Sequence, residues 1–254
     1  MGEHVTIDSD GLSLAGYLAR PSVSAAKGAN RFGLIASHPF PEDPNSASVV
    51  GRTYPELADR LAADAGWVVL TFNFRGTGDS EGDFSLGGWL TDLNAAVDFL
   101  LSAGGVEGVW LCGFDVGGSL SVCAGGEDPR VSGVATFCAP ADFDGWAADP
   151  RRLLAQARRL GVIHSAEFPA DVDAWARELR DIRPLHLVGK IPPRPLLVVH
   201  GVNDDVVPML DARALADAAE SAVELRILVA AGHKLRDDPR AIAILLGWLD
   251  RQSL

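Results

Sequence analysis

The chain has 254 residues, of which 48% are hydrophobic and 22% are charged, a balance typical of a globular domain and unlike that of a disordered chain. The formal net charge is -12, and repulsion from phosphate backbones argues against nucleic-acid binding. No stretch reaches the roughly 20 apolar residues of a membrane span, and the acidic N-terminus lacks the apolar core of a signal peptide. We therefore expect a cytoplasmic protein that binds neither nucleic acid nor membranes.

The first predicted elements are strands. HVTID and LSLAGYLARP flank a Ser-Asp-Gly turn and predict an antiparallel hairpin. The apolar run FGLIAS (Phe32–Ser37) predicts the first buried strand. A helix is then expected to open at Thr53, with Pro55 in its first turn and Glu56 completing a Thr-x-x-Glu capping box.

Strands and helices alternate along the rest of the chain. Apolar and β-branched runs predict strands at 67–74, 108–114, 131–139, 195–201 and 223–231. One helix between them carries an apolar face formed by Trp89, Leu93, Val97 and Leu100. The last helix is expected to be capped by Asp238 and to begin at Pro239. This alternation predicts an α/β fold with a mostly parallel sheet and helices on both faces, and such sheets bind ligands beyond the carboxyl ends of their strands.

One connection is much longer than usual. Roughly fifty residues separate the strand that ends near Ala139 from the one that begins near Pro195, where most connections are short. Two amphipathic patterns lie between them, RRLLAQARRLG and DVDAWARELRDI. We therefore predict that residues 141–192 form a helical lid inserted in a single domain of residues 1–254. The alternative is a peripheral helical pair that only covers apolar surface.

The three cysteines do not follow a metal-binding or disulfide pattern. Cys112, Cys123 and Cys138 are an odd number, lie among apolar or small residues, and show no Cys-x-x-Cys spacing. We expect buried free thiols in a reducing compartment, and no metal site.

Three chemically active residues stand at the ends of three predicted strands. Asp115 lies in GFDVGG between a strand and a helix, with glycines two residues away on either side. A nucleophile elbow needs these glycines because its strained turn packs tightly against neighbouring backbone. Asp204 follows the strand PLLVVHG, and His233 follows the last strand. A nucleophile, an acid and a histidine in this chain order predict a catalytic triad.

Five segments carry a resemblance to a known superfamily: SHPFPED, TFNFRGTGDSEG, LCGFDVGGSL, VVHGVNDDVVP and AAGH. The chain resembles the α/β-hydrolase superfamily, near small bacterial hydrolases related to dienelactone hydrolases and acyl-peptidase-like esterases. The segments span nearly the whole chain except the predicted lid. The resemblance implies an α/β-hydrolase fold and a cofactor-free, metal-independent enzyme that acts on a small molecule.

The resemblance also implies roles for individual residues. His233 would be the base and Asp204 would orient it, while the backbone amides of Phe40 and Val116 would form an oxyanion hole. Asp205 does not match the position of the family acid. Structural roles are expected for Arg75, His38 and His200.

Asp115 departs from the family pattern, which has serine at this position. A carboxylate that attacks an acyl carbon forms a mixed anhydride, which argues against ordinary serine-esterase chemistry. Three interpretations stay open. The first is a hydrolase of a small, apolar, ester-type substrate in which aspartate replaced serine through drift or engineering. The second is a hydrolase of alkyl halides or epoxides that works through an alkyl ester of Asp115. The third is a catalytically silent binding protein.

The accessory groups of the second interpretation are missing from the sequence. Haloalkane dehalogenases place a tryptophan after the nucleophile, where this chain has Val116, and epoxide hydrolases use lid tyrosines, whereas Tyr17 and Tyr54 lie outside the predicted lid. Trp146 and Trp175 of the lid are the candidate substrate-binding residues. In every interpretation His233 lies between two carboxylates, which predicts an imidazolium at neutral pH.

Overall fold

The computed structural model describes residues 2–22, 32–103, 105–221 and 223–252, and for residues 44–53 it describes the backbone only. Eight strands form one mixed sheet in the described residues. The strands are β1 (Glu3–Ser9), β2 (Leu12–Ala19), β3 (Phe32–Ser37), β4 (Val68–Phe72), β5 (Gly108–Phe114), β6 (Val131–Phe137), β7 (Leu196–Gly201) and β8 (Val223–Leu228). Their order in the sheet is β1-β2-β4-β3-β5-β6-β7-β8. Strands β1 and β2 form the antiparallel hairpin, and β2 pairs antiparallel with β4. The six strands β3 to β8 are parallel to one another. The carboxyl ends of the parallel strands therefore share one edge.

Helices cover both faces of this sheet. The described helices are α1 (Pro44–Ala65), α2 (Leu86–Ala103), α3 (Val116–Glu127), α4 (Asp144–Ala148), α5 (Pro150–Leu160), α6 (Val172–Asp181), α7 (Pro184–Leu187), α8 (Met209–Ala218) and α9 (Pro239–Gln252). One apolar cluster packs α1 and α9 against one face of the sheet. A second apolar cluster packs α2, α3 and α8 against the opposite face. Among the described helices, none has the length and apolarity needed to cross a bilayer.

The predicted α/β-hydrolase architecture is confirmed, and the differences concern element ends. The predicted boundaries of β3 and β5 are exact, whereas β8 ends at Leu228 because the chain turns at Ala230, where φ is +58°. The prediction that α1 opens at Thr53 is wrong: the helix begins at Pro44 and continues through Pro55. A Thr-x-x-Glu motif favours a helix start, but it does not prevent a helix that began earlier from continuing through it. The proposed cap by the Thr53 side chain lies outside the described residues.

The inserted segment is fastened to the loop that precedes α2. Its helices α5 and α6 coincide with the two amphipathic patterns. The indole Nε1 of Trp175 donates to the Phe84 carbonyl at 3.1 Å, and the Gly87 amide donates to Glu178 Oε2 at 2.9 Å. A backbone bond from Phe84 N to Val162 O, 2.8 Å long, adds a third link. Whether residues 141–192 act as a lid stays a prediction.

Candidate active site

The elbow between β5 and α3 presents Asp115 at the carboxyl edge of the sheet. Asp115 has φ 52° and ψ −124°, a conformation that costs a non-glycine residue energy and that occurs at functional sites. A Cβ atom at Gly113 would overlap the Gly117 carbonyl, and one at Gly117 would lie 2.5 Å from the carbonyl oxygen of His38. Both glycines are therefore required for the close approach of the elbow to its neighbours, as the sequence predicts.

The fold brings the three predicted residues together. His233 Nδ1 lies 2.9 Å from Oδ2 and 3.1 Å from Oδ1 of Asp204, so its Nδ1–H donates to that carboxylate. His233 Nε2 lies 3.9 Å from Asp115 Oδ1, which exceeds the length of a direct hydrogen bond. The side chains are nearly enclosed, with exposed fractions of 12% for Asp115, 10% for His233 and 0% for Asp204.

The Asp115 carboxylate occupies the position predicted for an oxyanion. The Phe40 amide donates to Asp115 Oδ2 at 3.1 Å, and the Val116 amide also donates to this carboxylate. Both backbone groups that the sequence analysis assigned to an oxyanion hole thus bind the side chain of the elbow residue itself. The opposite oxygen, Oδ1, faces His233.

Burial and charge shift the pKa values of the three residues in different directions. Burial raises the pKa of Asp115 to about 6, although His233 and the two amides act against it. Burial would also raise the pKa of Asp204, but hydrogen bonds from His233 and the amides of the following turn hold it well below its usual range. Burial lowers the pKa of His233, yet the bond to Asp204 and the charge of Asp115 outweigh it and leave the pKa raised. This is the direction predicted for an imidazole between two carboxylates.

His38 fixes the loop that carries the Phe40 amide. Its Nδ1 lies 2.8 Å from the Pro39 carbonyl, and its Nε2 accepts the Phe74 amide at 3.1 Å. Burial lowers the pKa of His38 to about 4, so the imidazole stays neutral and Nε2 keeps its lone pair. The structural role predicted for His38 is confirmed.

A cleft of about 150 Å³ opens beside Asp115 and His233. Its other lining residues come mainly from the loops after β3 and β8, including Phe40, Glu42, Tyr54, Lys234 and Arg236. An ion pair from Lys234 Nζ to Glu42 Oε2, 2.8 Å long, joins these two loops. A larger groove of about 410 Å³ lies at the β1–β2–β4 side and does not include the three residues. Charged side chains of Glu42, Lys234 and Arg236 therefore line part of the cleft.

The two lid tryptophans pack differently. Trp146 is half-buried, and its ring centroid lies 5.0 Å from that of Phe40. Trp175 is buried, and its indole N–H is bonded to the Phe84 carbonyl. Neither is among the residues that line the cleft. Their assignment as substrate-binding residues stays a prediction.

Two side chains beside Asp204 were not singled out as site residues from the sequence. His200 ends β7 and Cys138 follows β6, so both reach the same carboxyl edge as Asp204. Among the described residues, Cys138, Asp204 and His233 form a group whose ligand atoms lie within 4.8 Å of one another, as a metal site would require. Asp204 and His233 are already joined by a hydrogen bond, and Cys138 Sγ is bonded to the Gly232 carbonyl. In the sequence, the only indication of a role for these two residues is their position at the ends of strands. Many purely structural residues share that position.

Comparison with known proteins indicates the same fold as the structure shows. A family model described as the alpha/beta hydrolase fold matches residues 38–160, which include the Phe40 loop and the elbow. The chain is similar to the esterase Pf2001 of Pyrococcus furiosus, with 18% identity, a TM-score of 0.70, and coverage of 99% of this chain and 90% of that one. No curated protein sequence matches the chain.

Two further solved structures are similar over nearly their whole length. The alpha/beta hydrolase GrgF from Penicillium sp. sh18 has 20% identity and a TM-score of 0.72, with coverage of 99% of this chain and 98% of that one. Est1E from Butyrivibrio proteoclasticus has 19% identity and a TM-score of 0.68, with coverage of 98% and 97%.

Proposed function

We propose that this chain, which has the α/β-hydrolase fold, is a hydrolase in which Asp115 forms a covalent ester with a saturated carbon of a small substrate. The orientation of the Asp115 carboxylate carries this proposal. Oδ2 accepts the Phe40 amide at 3.1 Å, which leaves Oδ1 as the nucleophilic oxygen. An acyl substrate would have to displace Oδ2 to reach the same amides, whereas a substrate attacked at a saturated carbon leaves Oδ2 in place.

In the first step, Asp115 Oδ1 attacks the carbon and forms a C–O bond. The bond from carbon to the leaving group breaks, and the leaving group departs with the electron pair. A halide leaves as an anion, whereas an epoxide oxygen stays on the product as an alkoxide and takes a proton from solvent water. This step needs Asp115 ionised, which burial opposes by raising its pKa to about 6.

In the second step, water hydrolyses the ester. His233 Nε2 takes a proton from water, and the water oxygen bonds to the Asp115 carboxyl carbon. The negative charge then develops on Oδ2, where the amides of Phe40 and Val116 donate to it, an arrangement worth roughly 3 kcal/mol per donor in other enzymes. The bond between the carboxyl carbon and Oδ1 then breaks. Oδ1 leaves with the product alcohol, which takes its proton from His233.

Alkylation itself prepares His233 for this second step. In the free protein the negative charge of Asp115 helps to raise the pKa of His233 and keep it protonated. Esterification removes that charge, so the pKa of His233 falls just when a base is needed. The 3.9 Å separation of Nε2 and Oδ1 suits a water that bonds to Nε2 while it approaches the carboxyl carbon.

The second candidate is hydrolysis of a small ester by acyl transfer. The esterases Pf2001 and Est1E share the fold of this chain, and the amides of Phe40 and Val116 are the groups that we propose as its oxyanion hole. With aspartate at the elbow, the Asp115 carboxylate already occupies these amides, so they are not free to bind a substrate. We expect this chemistry in the Asp115→Ser variant, whose shorter side chain leaves both amides for the substrate.

Single-turnover hydrolysis in heavy-oxygen water tests the first candidate. Enzyme in excess is mixed with each member of a panel of haloalkanes, epoxides and aryl esters, and the peptide containing Asp115 is analysed by mass spectrometry. We expect one heavy oxygen in Asp115 after turnover. The His233→Gln variant should retain the alkyl group on Asp115, because loss of a general base slows a step by roughly 10²–10⁴-fold.

Three results would contradict the first candidate. Label found only in the product would indicate direct attack by water on the substrate. Aryl-ester turnover that appears only in Asp115→Ser would favour the second candidate. No turnover by either protein across the panel would favour a binding function.

A further inference from the structure

Asp204 is the most heavily hydrogen-bonded carboxylate of the site. Its Oδ1 accepts the amides of Val206 and Val207 at 2.9 and 2.8 Å. Its Oδ2 lies 2.9 Å from His233 Nδ1. The two backbone amides fix the orientation of the carboxylate from one side, so the neighbours of Oδ2 decide how strongly it attracts the proton of His233.

His200 places a second imidazole beside Oδ2. Its side chain is fully buried, and its Nε2 lies 3.0 Å from the Val207 carbonyl and 3.3 Å from Asp204 Oδ2. Both neighbours are hydrogen-bond acceptors, so the hydrogen must be on Nε2. Nδ1 has no hydrogen-bond partner, which fits an unprotonated nitrogen. The Nε2–H therefore donates to the Val207 carbonyl and lies beside the Asp204 carboxylate, so its partial positive charge acts on the same carboxylate that binds His233.

Cys138 approaches this carboxylate from the neighbouring strand. It is buried and has φ +49°, an unusual value for a residue with a side chain. Its Sγ lies within 4.8 Å of a carboxylate oxygen of Asp204, where the polar thiol helps to lower the pKa of Asp204, and it lies 3.9 Å from the Gly232 carbonyl. Burial raises the pKa of the thiol, so it keeps the hydrogen that it donates.

We propose that His200 and Cys138 are positioning residues that neutralise part of the Asp204 charge and thereby limit how tightly His233 holds its proton. Neither residue touches the reacting atoms; each acts through Asp204. Without their donors, the charge of Oδ2 would act on His233 alone and hold the imidazolium more strongly. His233 would then become a poorer base for the second step at neutral pH. This inference rests on the roles proposed above for Asp204 and His233.

The groups that face His233 come from four elements. Asp204 and Asp115 contact it from the loop after β7 and from the elbow, and Glu42 contributes negative charge from the loop after β3. Cys138 acts from the end of β6 through Asp204. The experiment changes only His200 and Cys138, while both carboxylates and Glu42 stay, so a shift in the titration of His233 reports on the two residues beside Asp204.

NMR titration of His233 in the free protein tests the proposal without a substrate. We expect His200→Leu and Cys138→Ala each to raise the midpoint of the His233 titration by roughly half a pH unit, since each removes a donor to its carboxylate partner. His200→Gln and Cys138→Ser keep a donor at each position and should restore the midpoint. If His200→Leu does not fold, His200→Asn serves instead, because its amide is too short to reach the Nε2 position.

Thr136→Val is the matched control. The Thr136 hydroxyl is buried on β6, next to β7, and has no hydrogen-bond partner, so its removal should leave the His233 titration unchanged. A midpoint that is unchanged or lowered in His200→Leu and Cys138→Ala would overturn the proposal. So would a shift of the same size in Thr136→Val. Because the titration needs no turnover, these results are separate from any failure of the proposed reaction.

Discussion

Asp115 carries its charge where burial opposes ionisation. Two backbone amides and His233 offset part of this cost, but the pKa of the carboxyl still rises to about 6. A folded-state pKa above the unfolded value means that the folded protein binds the proton more tightly. The contribution of Asp115 to stability is therefore fully present below about pH 4 and is lost as the pH rises through about 4 to 6.

Asp115→Asn removes this dependence on pH. The amide is neutral at every pH and its oxygen can still accept both backbone N–H groups. From 1.36 kcal/mol per pH unit, we expect the variant to be more stable than the wild type by roughly 2–3 kcal/mol at pH 8, and equally stable below about pH 4. Thermal unfolding across this pH range measures the difference.

Asp205, the exposed neighbour of Asp204, provides the control for this measurement. Asp205→Asn also removes one negative charge but lies on the surface, so its unfolding should follow the wild type at each pH. A stability gap for Asp115→Asn that is constant with pH would contradict a cost of ionisation at the elbow.

At the scale of elements, the inserted segment is attached to the core by hydrogen bonds at specific points. Trp175 and Glu178 lie on successive turns of α6 and bind the Phe84 carbonyl and the Gly87 amide. Glu178 thereby satisfies a free N–H in the first turn of α2, where a negative charge also interacts favourably with the helix dipole. The attachment point lies on the loop that carries Phe84, whose ring contacts that of Phe40 at 5.0 Å.

Glu178→Ala should weaken this attachment. Loss of the acceptor leaves the Gly87 amide without its partner, and we expect a decrease of about 1–2 kcal/mol in the free energy of unfolding by urea. Hydrogen exchange at Gly87 should become faster than in the wild type. Glu167→Ala, which removes an exposed glutamate of the same segment, should change neither quantity. Unaltered exchange at Gly87 in Glu178→Ala would show that the segment is held by other contacts.

At the scale of the whole molecule, a buried ion pair connects the hairpin, the loop after β4 and helix α2. Arg75 binds Asp92 with an Nη2–Oδ1 distance of 2.7 Å, and the Asp92 side chain is fully buried. The Ser9 hydroxyl from β1 donates to the same carboxylate at 2.7 Å. The structural role predicted for Arg75 is confirmed: it stabilises the loop next to the site and does not reach Asp115.

Arg75→Ala should therefore destabilise the whole fold. It leaves the Asp92 charge buried without its partner, a change that typically costs roughly 3–5 kcal/mol. The double variant Arg75→Ala with Asp92→Leu should lose less than the sum of the single changes, because it removes the unpaired charge as well. Chemical denaturation of the four proteins measures this coupling. Additive losses would mean that the pair contributes only through packing.

The sequence alone determined the sheet, its helices and the three residues at its carboxyl edge. Strand ends of a parallel sheet converge, so Asp115, Asp204 and His233 could be brought together from strand order and elbow glycines. Apolar periodicity sufficed for α5 and α6 because their buried faces repeat along the chain. Local signals failed at the start of α1, because the helix begins at Pro44 and continues through the capping motif at Thr53.

Only the tertiary structure decided how the site is oriented. Nothing local to Asp115 indicates that its Oδ2 accepts the Phe40 amide while Oδ1 faces His233, because that choice depends on a loop 75 residues away in sequence. The same holds for His200 and Cys138, whose contacts with Asp204 require three strand ends to meet. Side-chain hydrogen bonds depend on distances of a few tenths of an ångström, which residue type and spacing do not specify.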